Sequence, residues 1–171
     1  MRTNTRDIEY MREALELARR GEYSTSPNPA VGCVIVKDDE IIGRGFHHLA
    51  GENHAEIEAI RDAGDRTKMA TAYVTLEPCS HKGRTGPCVE ALISAGISRV
   101  VYACGDPNPK VSGTGHRTLC DAGIDVLSGV CEMEALELNQ GFIKRMAKGQ
   151  PYVRLKMAMS LDGAMAMASG E

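Results

Sequence analysis

The sequence predicts a layered α/β domain whose later strands run parallel. Three observations carry that expectation. From Tyr73 onward, apolar strand-like runs alternate with short helical patterns, the order that βαβ units impose. Ahead of them, "VGCVIVK" and "EIIGRGFH" are β-rich runs joined by "DDE", which reads as a hairpin. The chain of 171 residues is 43% hydrophobic and 25% charged, which suits one well-cored domain with a little chain left over.

The elements follow in order. Ile8, Met11, Leu15 and Ala18 recur at helical spacing and Gly21 offers a stop, so a helix is expected over about residues 5–20. "SPNPA" breaks the pattern, because prolines flank Asn28. After the hairpin, "AEIEAIRDAG" is a short helix closing at Gly64, and "TAYVTLEP" a strand closed by Pro78. "CVEALISAG" is a helix, "SRVVYAC" a nearly unbroken apolar strand, and "GDPNPKVSGTG" a loop by composition. "HRTLCDAG" and "IDVLSGV" add a helix and a strand, and "EMEALELNQGFIKRMAKG" a longer helix. The last stretch, "PYVRLKMAMSLDGAMAMASGE", begins like another strand. By itself it is either a terminal strand with a frayed tail or the entry to a second domain.

Bulk properties exclude several roles. A net charge of -3 supplies no basic field for nucleic acid, and 4% aromatic residues without Trp leave few platforms for base stacking. No apolar run approaches a membrane span, and the start "MRTNTRDIEYMREAL" lacks the apolar core of a signal peptide. A cytoplasmic address with reduced thiols is expected. The six cysteines are then metal ligands or buried small residues rather than a disulfide framework.

Two of them make a constellation with the stretch "GENHAEIEAI". His54 opens a helix, Cys79 ends a strand and Cys88 opens the next helix. Helix starts favour thiolates, and one imidazole with two thiolates suits Zn²⁺ while leaving a position for water. The rival is a closed structural site, for which His81 is the obvious fourth ligand and His47 and His48 lie a strand away. His-x-Glu followed by Pro-Cys and a second Cys is the signature of zinc deaminases. Zinc so held lowers the pKa of its water from about 15.7 toward about 7. Glu56, two residues past His54, is placed to carry protons without binding the metal. The signature ordinarily closes as Cys-x-x-Cys, whereas eight residues separate Cys79 from Cys88 here. The insertion "SHKGRTGP" carries Lys82 and Arg84, a reasonable clamp for a phosphorylated substrate. Cys33, Cys104, Cys120 and Cys131 sit in or beside apolar runs and are expected to be structural. His48 and His116 are expected at the surface or in caps.

Four blocks, "SPNPAVGCVIV", "HAEIEAI", "TLEPCSHKGRTGPC" and "DPNPKVSGTG", span residues 26–115 in this order. Together they resemble the deaminase domain of the bifunctional deaminase–reductases of riboflavin biosynthesis. The resemblance implies a three-layer αβα, cytidine-deaminase-like domain with a central mixed sheet. It implies hydrolytic removal of an amino group from a diamino-hydroxy-pyrimidine carrying a ribosylamino 5-phosphate, giving the aminouracil. It places His54, Cys79 and Cys88 on the zinc ligands and Glu56 on the proton shuttle. Asn28, His47, Arg84, Asp106 and Asn108 fall on substrate-contacting positions. Asn53 and Gly86 depart from the commonest spelling of the family without removing a reactive group.

The resemblance also divides the chain into a deaminase domain over 1–149 and, over 150–171, the start of a reductase domain that uses NADPH. Ala158 would be a contact of that cofactor in a complete reductase domain, and no reductase activity is expected from the residues present. Self-association into a homo-oligomer is expected, with a small phosphorylated pyrimidine as the partner and neither nucleic acid nor membrane. The alternatives are a zinc deaminase acting on cytidine, deoxycytidylate or tRNA adenosine, and a non-catalytic zinc module.

Overall fold

A computed structural model describes residues 4–81, 86–108, 112–161 and 163–165. Helix α1 (Thr5–Arg19) leads into a hairpin of β1 (Gly32–Lys37) and β2 (Glu40–Phe46). Then come α2 (Ala55–Ala63), β3 (Thr71–Leu76), α3 (Cys88–Ser94), β4 (Arg99–Cys104), α4 (Thr114–Asp121) and β5 (Asp125–Ser128). Two short helices follow, α5 (Glu132–Leu138) and α6 (Gln140–Lys148). The strand order is β2-β1-β3-β4-β5. The β2–β1 and β1–β3 pairs are antiparallel and the β3–β4 and β4–β5 pairs parallel, so the sheet is mixed as expected. Asp38 and Asp39 turn the hairpin with φ of 50° and 66°, a left-handed pair that a two-residue hairpin turn demands and Asp tolerates.

Period-two alternation makes the three layers. Cys33 and Ile35, Ala72 and Val74, and Val100 and Tyr102 face α2, α3 and α4, where they meet Ala55, Ala59, Val89, Leu92 and Leu119. The intervening Val34, Val36, Tyr73, Val101 and Ala103 face α1 and α5, against Met11, Ala14, Leu15 and Ala135. Helix α2 lies on nearly bare backbone. A Cβ at Gly45 would stand 2.3 Å from the Ala55 carbonyl oxygen, and one at Gly43 2.3 Å from that of Ala59. These two glycines let the helix descend onto β2, and its first residues arrive at the carboxyl end of β3.

The far end of the sheet is tied by charge. Asp7, inaccessible to solvent, caps α1 reciprocally with Asn4, accepts from Tyr73 Oη at 2.9 Å and pairs with Arg99 through both oxygens at 2.8 and 3.1 Å. Burial pushes its carboxyl up, but the hydrogen bonds from Arg99 and Tyr73 outweigh it and leave the pKa below the usual value.

Two expectations need correction. The single long helix over 132–149 is broken at Asn139 (φ -110°, ψ 24°) into α5 and α6. Asn139 is buried and its side chain is bound to the backbone of Ala30, which turns it off the helical path. The strand expected from residue 151 does not form. Residues 150–161, Ala158 among them, are exposed and outside any ladder, and a segment that no strand among the described residues pairs with is not held as a strand. No helix among the described residues is long and apolar enough to cross a membrane.

Arg99→Met would leave the Asp7 carboxylate buried without its cation and is expected to cost about 3 kcal/mol of stability, readable by urea denaturation. Because the Asp7 pKa is depressed on folding, its contribution is present above the unfolded carboxyl pKa and lost as pH falls through the folded one. The stability gap between wild type and the variant should therefore narrow in acid.

Candidate metal centre and active site

Three chain-distant segments converge at the carboxyl end of β3. His54 occupies the N-cap position of α2 but makes no side-chain cap, because its ring is turned to two thiols. Its Nδ1 lies 3.2 Å from Cys88 Sγ and 3.5 Å from Cys79 Sγ. The ligand atoms of the three residues all lie within 4.8 Å of one another. Zinc bonds of about 2.0–2.3 Å in a tetrahedron require ligand separations of about 3.5 Å, so this donor set and its spacing fit a zinc ion. The Cys88 N–H, at the start of α3, donates to Cys79 Sγ at 3.4 Å. The hydrogen bond from Cys88, followed by those from His54 and that backbone N–H, pulls the Cys79 thiol down to about 4. Cys88 is driven up by sharing its proton with Cys79 and by burial. One thiolate and one thiol thus share a proton where a divalent cation would take both sulfurs.

Glu56 follows in the first turn of α2, 3% exposed. Burial and then the neighbouring Cys79 charge raise its carboxyl, a direction that suits a group asked to gain and lose protons near neutrality. His47 is also buried, and burial lowers its pKa. Its Nδ1 lies 2.9 Å from the Asn53 carbonyl oxygen and its Nε2 3.1 Å from Asn28 Nδ2. A carbonyl only accepts, so Nδ1 carries the proton and Nε2 accepts from the Asn28 amide. Asn28 Oδ1 is left as an acceptor on the cavity wall.

That cavity, about 540 Å³, is lined by His54, Glu56 and Cys79 together with Asn28, His47, Asp106 and Asn108, a volume ordinary for a small-molecule site. Of the sequence-predicted site residues that are described, all meet here except Cys88, which is buried and belongs to the metal cluster, and Ala158, which lies in the exposed terminal segment. Arg84, like Lys82, lies outside the described residues. Asp106 Oδ1 accepts from the Asn108 N–H at 2.8 Å, and burial raises its carboxyl. The turn role and the cavity-lining role coexist. Among the described residues, none of the proposed fourth ligands joins the cluster. Both ring nitrogens of His47 are bonded, His48 stacks on Phe46 at 3.8 Å, and His81 is exposed and outside the cluster. His116, expected at the surface or in a cap, lies half-buried in the first turn of α4, 3.0 Å from Tyr102 Oη through its Nδ1. Cys120, expected inside, is exposed on α4, where the apolar face of that helix belongs to Leu119. A second depression of equal volume, between α1, β2 and α2, is lined by mixed charges such as Arg61 and Glu58, which pair with each other, and it contains none of the cluster.

Sequence reasoning missed Glu77. Its buried carboxylate accepts from the backbone N–H groups of Gly113 (3.0 Å), His116 (3.1 Å) and Asp106 (3.4 Å). It staples the loop that bears Asp106 and Asn108 over the metal cluster. Gly115 permits this, since a Cβ there would stand 2.1 Å from the Pro78 carbonyl oxygen. A charge at the end of an otherwise apolar strand was the available signal. Missed too were Phe142, Arg145 and Met146, which α6 contributes to the cavity and which no local pattern marks. Glu77→Ala would orphan three N–H groups. It is expected to cost about 2–3 kcal/mol of stability and to raise KM with zinc content unchanged, as read by denaturation, steady-state kinetics and metal analysis.

Comparisons with known proteins agree with this geometry. Residues 4–104 match the family described as the cytidine and deoxycytidylate deaminase zinc-binding region. The chain is 61% identical over 165 residues to the riboflavin biosynthesis protein RibD of Escherichia coli, covering 96% of this chain and 45% of that protein. It is 54% identical over 145 residues to the diaminohydroxyphosphoribosylamino-pyrimidine deaminase of Buchnera aphidicola, covering 85% of this chain and 99% of that protein. The structure of Acinetobacter baumannii RibD superposes with a TM-score of 0.92 at 61% identity, covering 97% of this chain and 47% of that one. The chain thus spans about half the length of the RibD relatives it matches. It belongs to the zinc-binding cytidine and deoxycytidylate deaminase family and, within it, to the deaminases of riboflavin biosynthesis.

Proposed function

We propose that His54, Cys79 and Cys88 hold one Zn²⁺ and that Glu56 shuttles protons in the deamination of a diamino-hydroxy-pyrimidine bearing a ribosylamino 5-phosphate. The single observation that carries this reading is the buried Glu56 carboxyl on one cavity wall with the His/Cys/Cys cluster. The Buchnera relative, covered almost end to end, carries the name of this substrate. When bound, zinc supplies a Lewis acid and a water acidic enough to attack at neutral pH. The chain does the rest. Glu56 takes a proton from the attacking water and passes it to the ring nitrogen beside the amino-bearing carbon. The second proton follows the same route to the departing amino group, so water is consumed and ammonia leaves. Asn28, oriented by neutral His47, offers Oδ1 to a ring N–H or amino group. Asp106 and Asn108 take the sugar end, and Arg84 the phosphate.

Residues 1–149 form the deaminase domain in this reading, and 150–171 begin an NADPH-dependent reductase domain to which Ala158 belongs. The exposure of Val153, Leu155, Met157, Met159 and Leu161 supports it, since apolar residues alternating at period two want a sheet to join. A cytoplasmic address and self-association belong to the same reading; light scattering on the purified chain tests the latter.

The deciding experiment is ammonia release from the phosphorylated pyrimidine by zinc-loaded protein. Glu56→Gln is expected to lower kcat at least about a hundredfold while zinc stays stoichiometric, and a chelator to abolish turnover until zinc is restored. A Glu56→Gln enzyme as fast as wild type would reduce the centre to a structural one. Turnover of cytidine matching that of the pyrimidine phosphate would reassign the substrate.

A further inference from the structure

We infer that Asn139 is a positioning residue for the deamination, acting through the loop that carries Asn28. The loop is poorly placed to hold itself. Pro27 and Pro29 have no N–H to donate, and the one backbone bond made by Asn28 runs back to the Thr25 carbonyl oxygen at 2.8 Å. Its anchorage comes from the α5–α6 unit. Asn139, 5% exposed, accepts the Ala30 N–H on Oδ1 and donates Nδ2 to the Ala30 carbonyl oxygen, both at 2.9 Å. From the last turn of α6, the Arg145 guanidinium donates to the Pro27 carbonyl oxygen. Asn28 is therefore gripped from the residue before it and from two residues after it. Its own amide then reaches His47 Nε2 on the cavity wall.

Asn139 itself does not line the cavity; it lies in the adjoining depression behind the loop. Its side-chain bonds go to Ala30, so the effect inferred for it runs through Ala30 to Asn28, and a readout at Ala30 separates that route from α6. The break between α5 and α6 takes its meaning from this arrangement, since an unbroken helix would carry the Asn139 side chain away from Ala30. The inference rests on the deaminase reading for the identity of the ligand, but not for the clamp.

The experiment compares wild type, Asn139→Asp and Asn139→Leu as zinc-loaded full chains. The aspartate variant keeps the acceptor for the Ala30 N–H and loses the donor to its carbonyl; the leucine variant loses both. KM for the pyrimidine phosphate is expected to rise about tenfold in Asn139→Leu, the worth of one buried hydrogen bond, and by less in Asn139→Asp, with zinc content unchanged. A merely structural role would lower the active fraction, and so kcat alone; that outcome overturns the inference. Should Asn139→Leu fail to fold, Asn139→Asp, which keeps the bond from the Ala30 N–H, carries the test: its KM should rise with kcat and zinc content unchanged, and an unchanged KM there overturns the inference equally.

Amide exchange at Ala30 needs no substrate. It is expected to quicken at least about tenfold in Asn139→Leu while Val74 in β3 keeps its protection. Equal protection of Ala30 in both proteins overturns the clamp. If the wild-type protein released no ammonia from this compound, the substrate assignment would fall, and the exchange measurement would still decide the clamp.

Discussion

Everything at the active end of this molecule depends on how closely α2 lies on β2. Gly43 and Gly45 remove the side chains that would otherwise hold the helix off, and Ala55, Ala59 and Ala63 keep the opposing face small. A helix seated on larger residues would stand about a side chain higher, since interlayer spacing follows the residues at the contact. His54 and Glu56 sit in its first turn, so their distance from the two cysteines is a packing distance. The cluster is thus built by the core, with the chemistry placed at its edge.

Within the cluster the physics is one of shared protons and withheld solvent. Cys79 and Cys88 cannot both be ionised side by side in a buried site without a cation between them, which is why one is driven down and the other up. Glu56, His47 and Asp106 are each moved by burial toward their neutral forms. The cavity is accordingly a place where a neutral ring can enter without displacing tightly hydrated charges, and where polarity is delivered at chosen atoms.

Much of this was legible in the sequence. Period-two and period-3.6 patterns marked all five strands and the first four helices within a residue or two, because each buries one defined face. The metal cluster was legible because its residue types are rare and their order specific. What could not be read was long-range. Asn139 looks like an indifferent helix residue until Ala30, 109 positions away, is placed beside it. Glu77 looks like a stray charge until the backbone N–H groups of Asp106, Gly113 and His116 close onto it. The expected terminal strand failed for the complementary reason: its pattern is intrinsic, but a strand is a property of two segments, and no strand among the described residues pairs with this one.

Laid out as a strand, that terminal segment would be a ribbon with two unlike faces. Val153, Leu155, Met157 and Met159 alternate with Arg154, Lys156, Ala158 and Ser160, and the apolar members stand exposed. Any sheet edge that receives it must take it in one of two registers, and a slip by a single residue would trade four apolar side chains for two cations and two small residues. The ribbon therefore carries its own proofreading: a mispaired neighbour is rejected by the cost of burying Arg154 and Lys156 before any contact has to be specific.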